Sequence, residues 1–271
     1  MPPEVEPDVD AVFGELLRAG ENDARLRAAL AACSLDSPAM ISLLRRAVPI
    51  RFLEIVSATW PFSDDARVLA AVVLNPRVPR HLALRLVPSL YWRDLADVAA
   101  GPRVAGAVRV RAEGVLKERV FELRVGEKVT LGKIATPAVL AILLADPDAK
   151  VIRACLQNPR LREEDLVTAV RQDAAPRALL EGVPESWRWR DSYAVRLALV
   201  LQPRTPLGIA LGQISSLLPA DLLRVADTPG LRPLVQITAQ RCVSRVNDGG
   251  HAPKMRNEKG VPISRGPKGR S

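Results

Sequence analysis

The segment Ser186-Trp-Arg-Trp-Arg-Asp191 places two of the chain's four tryptophans beside two arginines. Trp187 and Trp189 can stack on a base or fill an apolar pocket, and Arg188 and Arg190 can pair with phosphate or carboxylate, so the composition is that of a binding hot spot. Packing is the competing explanation: one ring sits between repeats while the other covers the start of a helix near Asp191. Three further arginines, Arg77, Arg160 and Arg204, each close an Asn/Gln-Pro-Arg triplet. Aligned on one edge they form a ladder for an anion or carboxylate. Alternatively, each holds its own turn by bonding helix carbonyls or a neighbouring aspartate.

Groups suited to catalysis are sparse. His81 stands beside Arg80 at a helix start, a solvated position, and His251 lies near the C-terminal end. Glu163-Glu-Asp165 suits the positive end of a helix dipole. Cys33, Cys155 and Cys242 are dispersed among apolar neighbours with neither disulfide nor metal spacing, which reads as buried free thiols in a reducing, cytoplasmic setting. No phosphate loop, Gly-x-Gly-x-x-Gly, His-Glu-x-x-His or Gly-x-Ser-x-Gly pattern occurs. The expectation is a non-enzyme that needs no cofactor and no metal.

The elements that must position these residues are announced by a repeat. Val68–Arg77, Val151–Arg160 and Val195–Arg204 superimpose without gaps, 83 and then 44 residues apart. A shift of 127 residues keeps the first and third in register from Val68 to Arg119, with 18 of 52 positions identical. The identities are mostly small or aliphatic, among them Ala83/Ala210, Leu90/Leu217, Leu95/Leu222 and Val108/Val235. Helix packing asks for such residues, whereas a duplicated active site would repeat polar groups. Proline at 76, 159 and 203 supplies the reason for the period: it cannot donate to a helix ladder and it disfavours helix in the residue before it. The preceding Asn or Gln can satisfy loose carbonyls. A forced stop folds the chain back into hairpins that cannot bury their outer faces alone.

Apolar spacing predicts helices along most of the chain, with a break at Gly20-Glu-Asn22 and a cap at Asp36-Ser37-Pro38. Gly126 is read as the end of the first repeat, residues 125–134 show weak strand-like alternation, and residues 177–182 read as a short turn. Gly208-x-x-x-Gly212 can allow close helix approach. Hydrophobic residues make up 48% of the chain and aromatics only 4%, a balance suited to an all-α core. The longest uncharged run, 205–220, contains two prolines and is too short to span a bilayer. Of the net charge of +9, four units fall in the tail from Asn247, leaving a mild excess on the body. That Gly-, Pro- and Lys/Arg-rich tail reads as disordered.

Leu143-Leu-Ala-Asp-Pro-Asp-Ala-Lys-Val-Ile-Arg-Ala-Cys-Leu-Gln-Asn-Pro-Arg160 resembles the leucine-rich repeat variant, with its Asp-Pro-Asp stretch, Val-Arg-like helix and Asn-Pro turn. The 44-residue spacing lies nearer to HEAT and armadillo repeats. The resemblance implies an all-α, right-handed superhelical solenoid of stacked hairpins: a helical cap over 1–62, repeats continuous with it over 63–246, and a basic tail over 247–271. It implies partner binding and no particular chemistry. The expected function is a non-enzymatic scaffold or adaptor for a protein partner, with Arg77, Arg160, Arg204, Trp187, Arg188, Trp189 and Arg190 as candidate contacts. The alternative is a HEAT-like nucleic-acid binder, of the DNA-repair kind, using a basic groove.

Overall fold

The computed structural model describes residues 8–33 and 35–249, and these are helical with no strand among them. The helices are α1 (Val9–Ala19), α2 (Asp23–Ala32), α3 (Ser37–Leu44), α4 (Ile50–Ala58), α5 (Ala66–Leu74), α6 (Arg80–Leu86), α7 (Trp92–Ala100), α8 (Gly106–Arg119) and α9 (Val125–Ile134). They continue as α10 (Pro137–Leu143), α11 (Ala149–Leu156), α12 (Glu163–Arg171), α13 (Arg177–Glu185), α14 (Tyr193–Leu201), α15 (Leu207–Ile214), α16 (Pro219–Asp227) and α17 (Pro233–Gly249). The chain divides into two compact units, one through Ala169 and one from Val170. The tail expected from Asn247 begins inside α17, and beyond Gly249 it lies outside the described residues.

Two local expectations are corrected. Residues 125–134 form a helix, because Glu127 accepts the Arg124 N–H (2.9 Å) and fixes the start of α9, placing Gly126 in its first turn. Residues 177–182 belong to a nine-residue helix, α13, which begins directly after Pro176, where the fixed proline φ suits helix entry and no N–H is lost.

The 127-residue register governs the fold and reaches further than the sequence match. α4, α5 and α7 fall on α13, α14 and α16 with identical bounds after the shift, and α3, α6 and α8 fall on α12, α15 and α17 to within three residues at their ends. The core follows. In the second unit Leu197, Val200, Ala210, Ile214, Leu217, Leu222, Val225, Ala226, Leu231, Val235 and Ala239 pack together. Each stands 127 positions after a residue buried in the first unit, from Ala70 and Val73 to Ala112, with only the Leu231 counterpart, Val104, half-buried. Full burial of one such aliphatic side chain stabilises by about 1.5–3 kcal/mol, so the shared pattern is the scaffold's main favourable contribution.

The proline turns explain why polar residues recur among these aliphatics. Asn75, Asn158 and Gln202 are all buried. Asn75 Nδ2 donates to the carbonyls of Leu44 (2.6 Å) and Arg46 (2.8 Å). Asn158 Nδ2 donates to Gly132 (2.8 Å) and Ala135 (3.2 Å), and Gln202 Nε2 to Val170 (2.7 Å) and Gln172 (2.9 Å). Each side-chain oxygen accepts the backbone N–H of the arginine two residues on, at 2.9, 2.8 and 3.3 Å. The backbone turn is the same each time, with Val78, Leu161 and Thr205 N–H groups donating to Asn75, Asn158 and Gln202 carbonyls. One amide thus closes its own turn and ties it to a helix end 23 to 32 residues earlier, using both donors and its acceptor.

Neighbouring details follow the same logic. In Asp146-Pro-Asp148 the first aspartate accepts the Asp148 N–H (2.9 Å) and pairs with Lys128 Nζ (2.9 Å), while the second caps α11 through the Lys150 N–H (2.7 Å). Asp65 and Ser192 cap α5 and α14 instead. The close helix approach is at Gly132, where a Cβ would lie 3.1 Å from Cys155 Sγ, whereas Gly208 and Gly212 face open space. Thr205 occupies the place of Val78 and Leu161 in the turn, and its buried hydroxyl has no hydrogen-bond partner. Thr205→Val keeps the shape and removes the orphaned group, so the midpoint of urea unfolding should rise, corresponding to about 1 kcal/mol of added stability.

Candidate partner-binding site

The two rings of Trp187 and Trp189 have opposite fates. Trp189 is buried at 5% exposure, while Trp187 is 75% exposed. The Arg188 guanidinium lies 4.4 Å from the Trp189 ring centroid, a cation–π arrangement that fixes the strand of chain between α13 and α14. Arg196 completes the staple, donating from Nε to the Arg190 carbonyl (2.8 Å) and from Nη2 to Asp191 (2.9 Å). Arg190 also approaches Asp191 (3.5 Å) and is exposed. Of the four residues singled out in this segment, Trp187 presents its apolar surface to solvent, Trp189 and Arg188 hold the segment down, and Arg190 is a solvated cation.

The same arrangement stands 127 residues earlier. Trp60, at 77% exposure, corresponds to Trp187, and the buried Phe62 corresponds to Trp189. Pro49/Pro176, Leu53/Leu180, Glu54/Glu181 and Asp64/Asp191 are identical in this upstream stretch, so the signal was present in the sequence before Val68. In both copies a helix leads to an exposed tryptophan, and an aromatic two residues on anchors it in the core.

Beside Trp60 the first unit holds a cavity of about 420 Å³ lined by Arg27, Leu30, Cys33, Leu35, Ile55, Trp60 and Phe62, among others. Its walls are mainly apolar. Arg27 also lines a second, polar cleft of about 280 Å³ with Arg51, Glu54, His81 and Arg85. There Arg51 bonds Asp23 (2.7 Å) and Glu54 (2.6 Å), His81 approaches Glu54 (3.8 Å), and Arg85 has no ion-pair partner among the described residues. Asp23 is held below the usual carboxylate range by hydrogen bonds from Arg27 and Arg51.

Each of the three turn arginines has a partner within its own unit. Arg160 Nη1 donates to the Ile134 carbonyl (2.6 Å) and Arg204 Nη1 to the Asp173 carbonyl (3.1 Å), each reinforcing the link made by its own Asn or Gln. Arg77 instead lies 3.7 Å from Glu21, whose carboxylate accepts the Ile50 and Arg51 N–H groups at the start of α4. Arg160 and Arg204 therefore brace preceding helix ends rather than their own turns.

The remaining candidates are placed as follows. Cys155 is buried, and its thiol is pushed up to about 12 by desolvation, with Asp146 adding to the effect; Cys33 and Cys242 are partly exposed and unpaired. Glu163, Glu164 and Asp165 occupy the first turn of α12. Among the described residues no cluster of three or more His, Cys, Asp or Glu side chains is placed to hold a metal, and no helix is long and apolar enough to cross a membrane. Comparison with protein-family models, with curated proteins and with solved structures gives no match.

Proposed function

We propose that this chain is a non-enzymatic helical-repeat scaffold that binds a protein partner through its two equivalent tryptophans. The observation that carries the reading is the repeated pair of exposed Trp60 and Trp187, each anchored by a buried aromatic. A large ring held in water by a rigid support is ready to bury its area on a partner with little ordering cost, which is the character of a hot spot. The apolar cavity beside Trp60 supplies a receptor for a partner's side chains. Within each unit, on this reading, the hairpins stack as a right-handed, HEAT-like array closed by variant-repeat turns, and the setting is cytoplasmic.

The test is recovery of a partner from the native host with the intact chain and with Trp60→Ala/Trp187→Ala. The double variant should retain its fold, because both rings are exposed, and should lose the partner by at least tenfold in affinity. Equal recovery by both proteins would overturn the proposal. A nucleic-acid role makes a different prediction, duplex binding that weakens steeply and log-linearly with salt.

A further inference from the structure

The duplicated fold contains its own control for the outer face of the α16–α17 hairpin. In the first unit the corresponding hairpin, α7–α8, is covered by the chain that follows: Trp92 Nε1 donates to Glu127 on α9 (3.1 Å), and Glu113 accepts from Thr136 at the start of α10 (2.7 Å). Ala96 is accordingly 2% exposed, and Ala107, Glu113 and Lys117 are half-buried. Their counterparts Leu223, Leu234, Gln240 and Ser244 are all exposed, Leu223 at 53%. Two alanines under a lid have become two leucines that no described residue covers. Solvent selects for the opposite exchange.

We infer that this face pairs with the same face of a second copy of the chain, two α16–α17 hairpins meeting across a two-fold axis. The chain itself shows that such a hairpin accepts a pair of helices on this side, so the new contact continues a packing mode already built into the fold. The charges fit self-association. Gln240 and Ser244 are uncharged where the first unit has Glu113 and Lys117, Arg241 and Arg245 lie exposed beside them, and Arg224 and Asp227, one helical turn apart on α16, are exposed and make no ion pair among the described residues. With the two α16 helices antiparallel, Arg224 of each copy meets Asp227 of the other, as an isologous contact requires. Residues 250–271 offer Met255, Val261 and Ile263 as their only large apolar side chains, interspersed with Gly, Pro and Lys/Arg, and are poorly suited to fill the face.

Sedimentation velocity of the full chain from about 1 to 200 μM should show a reversible monomer–dimer equilibrium. Leu223→Glu/Leu234→Glu should weaken it about a hundredfold or more while leaving the far-ultraviolet circular dichroism and the unfolding midpoint unchanged, since both sites are exposed. Arg224→Asp should weaken dimerisation, and adding Asp227→Arg should restore it, because the exchanged charges again complement one another across a two-fold axis. A chain that remains monomeric throughout, a dimer indifferent to the leucine substitutions, or one that the charge exchange fails to rescue would overturn the inference.

Discussion

Asn158→Ala should lower the stability of the fold by about 2–5 kcal/mol, read as a shift in the urea midpoint at unchanged slope. The substitution removes one side chain but strands two acceptors, the carbonyls of Gly132 and Ala135, in a region where both residues are buried and water does not compensate. Each lost partner costs about 1–3 kcal/mol, more than the bonds contribute on balance when made. Asn158→Leu should be no better, since filling the volume restores no donor. Gln202→Ala and Asn75→Ala should cost less, because one acceptor in each pair, the carbonyl of Gln172 or Arg46, keeps a backbone donor in the N–H of Ala175 or Val48. The order of the three effects is as informative as their size.

Trp189→Ala should cost about 3–5 kcal/mol, as expected for deleting a buried aromatic, and Trp187→Ala, two residues away, no more than about 0.5 kcal/mol. The contrast tests the assignment of one ring to the core and the other to the surface. Truncating Trp189 also strips the face under the Arg188 guanidinium, so the stapled segment before α14 should loosen as a whole. Thermal or urea unfolding of the two single variants decides it: similar losses would mean that the segment is packed differently from the arrangement described.

Much of the scaffold was legible in the chain because prolines and aliphatics act locally. Pro76, Pro159 and Pro203 ended helices where their missing N–H groups require, and nine of the 18 identities from Val68 to Arg119 fell on buried positions. The role of Asn75, Asn158 and Gln202 as ties was only half visible. That an amide would serve its own turn follows from sequence, but its carbonyl acceptors lie 23 to 32 residues upstream and depend on tertiary packing. The arginines carry the same ambiguity, since repetition looks alike whether a residue binds a ligand or the backbone. Trp60 escaped notice because it stands upstream of the stretch with obvious identities, where Phe62 and Trp189 preserve a function without preserving a letter. Residues 125–134 lacked clear helical periodicity because α9 is only partly buried, and its cap decided the matter.

Under the proposed function, recognition belongs to the exposed tryptophans and structure to the proline turns. This division is tested most directly by measuring the affinity of one recovered partner for two variants at matched folded fraction, Trp60→Ala/Trp187→Ala and Arg77→Gln/Arg160→Gln/Arg204→Gln. Affinity should fall by at least tenfold in the first and stay within about twofold in the second. The reverse pattern, binding lost with the arginines and kept without the tryptophans, would contradict it.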